Sequence, residues 1–162
     1  MSDSLALNDL PGWNEETSEA EVSVMDMFIV FKLGRETYAI PIDYVKEVMP
    51  LPKVVKLPQP PEFIVGAINV RGNVYAVLDT GAKISGNSVA ERGGHLVVLD
   101  FEGVRMALLV EDIPQAKALE TGKIETNSKI IGHNDQSYIL GVLRSKDEFV
   151  IILNVERFLE SI

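Results

Sequence analysis

From Met27 onward, apolar and polar positions alternate over short runs that Gly, Pro and Asn interrupt. Phe28-Ile29-Val30-Phe31-Lys32-Leu33, the turn Gly34-Arg35-Glu36 and Thr37-Tyr38-Ala39-Ile40 predict a hairpin rich in aromatic and β-branched residues. Pro41 to Glu47 reads as a short turn or one-turn helix leading into Val48. Pro50, Pro52, Pro58, Pro60 and Pro61 then mark a connection that is neither a central strand nor a helix interior. Ala67–Val70, the turn Arg71-Gly72-Asn73 and Val74–Asp79 predict a second hairpin, and the polar stretch from Gly81 to Gly94 reads as a loop. A third hairpin is expected from Leu96–Phe101 and Val104–Val110 across Glu102-Gly103, and a fourth from Tyr138–Leu143 and Phe149–Asn154 across Ser145-Lys146-Asp147. Val155, Phe158, Leu159 and Ile162 have helical spacing behind Asn154, which predicts a capped closing helix over 155–162.

The second pair of hairpins echoes the first. A shift of 68 lays Leu33 on Phe101, Tyr38 on Met106, Ile40 on Leu108, Ile42 on Val110 and Val45 on Ile113. A shift of 75 lays Gly66 on Gly141, Val74 on Phe149, Val77 on Ile152, Leu78 on Leu153 and Asp79 on Asn154. Two similar small barrels follow, over about 27–85 and 94–154 within a domain spanning 22–162. Neither buries much core alone, so the two are expected to pack together.

Composition narrows the chemistry. The net charge is −9, and residues 1–21 carry Asp3, Asp9, Glu15, Glu16, Glu19 and Glu21 with no Lys or Arg. That segment reads as a disordered acidic tail, and its charge disfavours nucleic acid. Leu10-Pro11-Gly12-Trp13 is the apolar exception within it; the Trp docks on the domain or on a partner, or is incidental. The absence of cysteine removes disulfides, thiolate nucleophiles and cysteine-held zinc. No apolar run reaches the about 18 residues needed to span a bilayer, and the N-terminus has no secretory pattern, so a cytoplasmic protein is expected.

Catalytic patterns are sparse. His95 and His133 each lack a second ligand at metal spacing, and no phosphate-binding Gly-rich loop or nucleophile elbow is present. Asp43, Glu47 and Asp79 leave open a small carboxylate-dependent enzyme, although such carboxylates more often cap or face water. Arg71, at a hairpin tip between Asn69 and Gly72, puts a planar five-donor cation within reach of a partner. On spacing alone the solvated turn residue is the favoured reading, with Gly72 supplying a positive φ.

Gly66-x-x-Asn69-x-Arg71-Gly72 followed by a strand ending in Asp79 resembles the motif of the CheW family of chemosensory coupling proteins. The likeness extends to the Phe28–Gly34 hairpin, Tyr38, Ile40, Ile42, Val45, Glu47 and Val48, to Leu57-Pro58 with Pro61-x-Phe63-Ile64, and to Leu109-Val110-Glu111. With Ile151–Glu156 it covers roughly 27–162. The resemblance implies an all-β fold of two packed, five-stranded, SH3-like barrels and a non-catalytic adaptor without cofactor or metal. It implies two partners: the regulatory domain of a CheA-type histidine kinase and the cytoplasmic tip of a methyl-accepting chemoreceptor. The positions matching receptor-contacting residues are Ile42, Val45, Glu47 and Arg71, with Gly66, Asn69 and Gly72 shaping the motif. Glu47 is expected to pair with Arg71. Thr80-Gly81-Ala82-Lys83, Ala107 and Pro114-Gln115-Ala116 depart from the family pattern, and Val48–Pro52 with Asn69–Gly72 also resembles the branch serving type IV pili.

Overall fold

The computed structural model describes residues 25–126, 138–145 and 147–162. The acidic tail, His133 and Lys146 of the Ser145-Lys146-Asp147 turn lie outside them. Among the described residues, ten strands form two five-stranded sheets. In chain order they are β1 (Met25–Leu33), β2 (Glu36–Pro41), β3 (Val45–Pro50), β4 (Ile64–Val70), β5 (Asn73–Asp79), β6 (His95–Phe101), β7 (Val104–Val110), β8 (Gln115–Glu120), β9 (Ile139–Ser145) and β10 (Glu148–Leu153). Two short helices follow β5 and β10: α1 (Thr80–Ser85) and α2 (Val155–Glu160).

All four predicted hairpins form: β1–β2, β4–β5, β6–β7 and β9–β10 are antiparallel pairs. The expected turn or one-turn helix is a 3-10 turn at Ile42–Tyr44, followed at once by β3. Neither β3 nor β8 was legible as a strand, because both are short outer strands with mixed exposure. The stretch read as a loop after Asp79 opens with α1. Asp79 caps that helix, its carboxylate accepting from Ala82 N at 3.1 Å, as Asn154 caps α2 by accepting from Arg157 N at 3.2 Å. The shift that aligns Asp79 with Asn154 carried this signal.

The repeat is real, but its halves are not the sheets. One sheet has the order β8-β1-β2-β10-β9 and the other β3-β6-β7-β5-β4, so exchanging equivalent strands converts one order into the other. Each sheet takes its first hairpin from one half and its second from the other. The joins are parallel, Thr37↔Val150 to Ala39↔Ile152 in one and Ala76↔Met106 to Asp79↔Leu109 in the other. The contiguous subdomains 27–85 and 94–154 are therefore each divided between the two sheets. A sequence repeat identifies equivalent strands without saying which copy each one pairs with.

Both sheets curl, and each seam is closed by a single backbone bridge. The chain beyond β3 brings Val55 against Ala67 of β4, with N–H···O bonds of 2.8 and 2.9 Å in the two directions. The chain beyond β8 brings Glu125 against Val142 of β9, both bonds at 2.8 Å. Beside each bridge is a glycine and a one-residue irregularity in the ladder, at Val65-Gly66 and Leu140-Gly141. A Cβ on Gly66 would sit 2.5 Å from Val55 O, and one on Gly141 would sit 2.6 Å from Glu125 O. The alignment of Gly66 with Gly141 thus marks the same backbone contact in both sheets.

The main core lies between the sheets and includes Phe31, Tyr38, Ile40, Tyr75, Leu78, Leu96, Leu99, Leu108 and Phe158. A smaller cluster of Phe28, Val30, Ala39, Leu119, Leu143, Val150 and Ile152 fills the inside of the curled β1 sheet. β1 is buried on both faces, which explains its unbroken apolar run Phe28–Phe31.

Gly66→Ala and Gly141→Ala are each expected to cost about 1–3 kcal/mol, because backbone and a valine or isoleucine methyl must move to admit the methyl. Gly122→Ala, with nothing within 4 Å of its Cβ position, should be close to neutral. Urea midpoints of the three variants check this; equal midpoints would mean that the seams relax freely.

Candidate functional site

The Asn69–Gly72 turn is built by its own side chains. Val70 pairs with Asn73, leaving Arg71 and Gly72 as a two-residue turn, and both have positive φ, 50° and 89°. This is the pattern that matches the twist of a hairpin. Only Gly72 was expected there; Arg71 takes the same region, and Asn69 Oδ1 braces the turn by accepting from Gly72 N at 2.9 Å. The arginine is thereby fixed at the tip with its guanidinium outward, its side chain 73% exposed.

Glu47 and Arg71 do pair: Arg71 Nη1 donates to Glu47 Oε1. β3 and β4 are opposite outer strands of their sheet, so this ion pair crosses the seam that the Val55–Ala67 bridge closes. Lys46 sits at an irregularity beside Glu47. It pairs Val45 with Leu99 and Glu47 with Val98, neighbours on β6 that face opposite sides. Val45 and Glu47 therefore do not share the face that their spacing implies; Val45 is half-buried and packs on the main core. Ile42 opens the 3-10 turn between the sheets and is exposed. The described contacts bring Glu47 and Arg71 together, whereas Ile42 borders a separate apolar bowl with Met25, Met27 and Leu140.

Gly66 shapes the region through the seam, as described above. Of the carboxylates considered for catalysis, Glu47 pairs with Arg71, Asp43 borders the bowl and Asp79 is occupied as a cap. Asp79 is buried, and its oxygens accept from Ala82 N, Val89 N (3.0 Å) and the Ser88 hydroxyl. Three donors make it a structural cap with no free oxygen facing a cavity. Among the described residues, no group of three His, Asp or Glu side chains is placed to hold a metal ion, and no helix is long and apolar enough to cross a membrane. His95 is half-buried at the start of β6, paired between Pro50 and Val110.

One polar contact that sequence reasoning missed lies at the far end of the sheets. Glu111 accepts from Gly34 N at 2.9 Å and meets Arg92 at 3.3 Å, tying the β1–β2 turn to the segment before β6. The Gly34 N–H, helped by Arg92, holds the Glu111 carboxyl below the ordinary carboxylate range.

Comparison with known proteins gives a consistent picture. Residues 27–162 match the CheW-like domain. The chain is 24% identical over 138 residues to the chemotaxis protein CheW of Treponema pallidum, covering 82% of this chain and 81% of that one. It is likewise 24% identical over 135 residues to the CheW of Klebsiella aerogenes, covering 83% and 81%. Among solved structures, the scaffolding protein TtCheW of Thermoanaerobacter tengcongensis superposes with a TM-score of 0.69 at 24% identity, covering 82% of this chain and 86% of that one.

Two expectations follow from the polar contacts. Arg71→Ala should change the folding free energy by no more than about 1 kcal/mol, since the pair is solvent-exposed; a larger loss in urea denaturation would mean that the pair holds the seam. Glu111 contributes stability above its ordinary pKa of about 4.3, and that contribution disappears as the pH falls through its lowered folded value. The stability gap between the parent and Glu111→Gln should therefore be constant at neutral pH and close as the pH falls below the ordinary carboxylate range, through the lowered folded value. A gap that persists there would assign the effect to packing.

Proposed function

The chain belongs to the CheW-like domain family, and from that premise we propose that it is a non-catalytic adaptor coupling methyl-accepting chemoreceptors to a CheA-type histidine kinase. The observation that carries this reading is the Glu47–Arg71 pair, held across the curled sheet's seam on a rigid two-residue turn. A guanidinium fixed in this way offers planar, multi-donor recognition to a partner's carboxylate or backbone carbonyl. Ile42, exposed at the crossing between the sheets, supplies apolar surface of the kind a receptor helix buries, and Val45 shapes it from the core side. The charged rim sets orientation and register, while apolar contact supplies affinity.

The function is geometric. An adaptor that holds receptor tip and kinase together replaces a bimolecular encounter with a local one, at an effective concentration on the order of mM. Receptor state then biases the kinase through contacts that differ between its two states. Such a protein works in the cytoplasm beside membrane-anchored receptors. The engagement of Asp79 as a helix cap supports a reading without catalysis.

Binding of the purified chain to a kinase regulatory domain and to a receptor-tip fragment tests this, with flagellar and type IV pilus versions of each partner. Both partners should bind, and Arg71→Ala should weaken the receptor fragment by about tenfold or more while sparing the kinase. Glu47→Gln should weaken the receptor fragment by less. Failure of every kinase and receptor fragment to bind would overturn the adaptor reading and leave only the fold.

A further inference from the structure

The β1 sheet is open at the end where Met25 enters. Met25, Met27, Ile42 and Leu140 stand around a bowl of about 760 Å³, with Phe28 and Ile124 lining its depth. Met25 is 49% and Leu140 44% exposed, so several large apolar side chains face water together. Leu140 is placed there by the ladder irregularity before Gly141, as the extra residue between the pairs Ile139↔Leu153 and Gly141↔Ile152.

On the other sheet the counterpart of this surface is covered among the described residues, and the repeat shows by what. A shift of 68 places Met25, Pro41 and Ile42, all in the bowl, on Gly93, Leu109 and Val110. Leu109 and Val110 are fully buried. The chain that precedes β6 turns back there: Val89 O accepts from Gly93 N at 2.6 Å, and Val89 is 1% exposed within the main core. A Cβ on Gly93 would touch both Leu109 and Val89 O, so this preceding segment lies directly on the counterpart of the bowl. In one sheet, then, the chain leading into the first strand of the hairpin supplies an apolar cover. In the other, the described side chains Met25, Met27, Ile42 and Leu140 are exposed.

We propose that the bowl is the seat of the chain's own amino-terminal segment, with Leu10 and Trp13 as the inserted side chains. The segment ends at Met25, which itself lines the bowl, so it starts from the rim. Trp13 lies twelve residues upstream. A random coil of twelve residues has a root-mean-square span of about 20 Å, so that length of chain is enough to turn back. Leu10-Pro11-Gly12-Trp13 is an uncharged stretch between Asp9 and Glu15, and methionine sulfurs pack well against an aromatic ring. Tethering at about 1 mM effective concentration would keep roughly nine-tenths of molecules docked with an intrinsic Kd of about 100 µM. Asp26 and Asp43 border the bowl, and the tail is acidic, so docking is apolar and works against like charge. Salt therefore strengthens it. Ile42 belongs both to the bowl and to the proposed receptor surface; on that reading of the function, the docked segment and a receptor helix compete.

Trp13 is the chain's sole tryptophan, which makes its fluorescence a direct report. In the full chain, its emission should lie to the blue of a peptide of residues 1–24 and be shielded from acrylamide. Added salt should increase both effects. Leu140→Asp and, independently, Met27→Asp should return the emission to that of the peptide, with circular dichroism unchanged. Emission equal to the peptide's, or insensitive to both substitutions, would overturn the proposal. So would a blue shift that vanishes on dilution, which would place the segment on a second copy. Receptor-fragment binding is measured separately, so failure of the adaptor reading leaves the fluorescence result standing.

Discussion

Closure of each curled sheet by one backbone bridge is the constraint on which the rest of this protein depends. A five-stranded sheet left open would expose two outer strands and their unpaired amide groups. Here Val55 and Glu125 bring the two edges of each sheet together, and they do so only because positions 66 and 141 have no side chain. The closure makes functional geometry from remote sequence. Glu47 and Arg71 lie on opposite sides of their sheet in strand order, 24 residues apart, yet they meet across the seam.

The exchange of hairpins between the halves has a second consequence. Because β2 pairs with β10 and β7 with β5, neither half owns a complete sheet, and the core between the sheets draws on both. The pairings most distant in sequence must therefore form before either sheet is whole, which predicts slow folding by a topology rich in non-local contacts. It also runs each half of the chain through both sheets and so ties them together.

The hairpins were legible because alternation and turn residues are local properties, and the caps because Asp79 and Asn154 carry their signal in the side chain. β3 and β8 were not, since short outer strands have no strong apolar rhythm; the repeat that aligned Val45 with Ile113 contained them unrecognised. The pairing of strands between halves was invisible in principle, as equivalent segments compete for the same partners. Around the candidate site, the Glu47–Arg71 pair was expected through family likeness and not through spacing. A single irregularity at Lys46 puts Val45 and Glu47 on opposite faces and leaves no mark in composition. Arg71 in the left-handed region was equally unreadable: only the neighbouring Gly72 signals such a turn.

The charged pair at the seam is well suited to recognition because it is poorly suited to stability. Both partners remain in contact with water, so breaking their bond strands no buried charge and costs little. Glu47 engages one nitrogen, Nη1, of a guanidinium that has five N–H donors. An incoming carboxylate or carbonyl can thus be bound while Glu47 stays in place, holding the planar group in register. The turn beneath is the rigid element: Asn69 braces it, and two residues with positive φ fix its twist. In the proposed role, orientation would be set before binding and the ordering cost already met during folding, so a partner would gain the directionality of arginine without having to immobilise it.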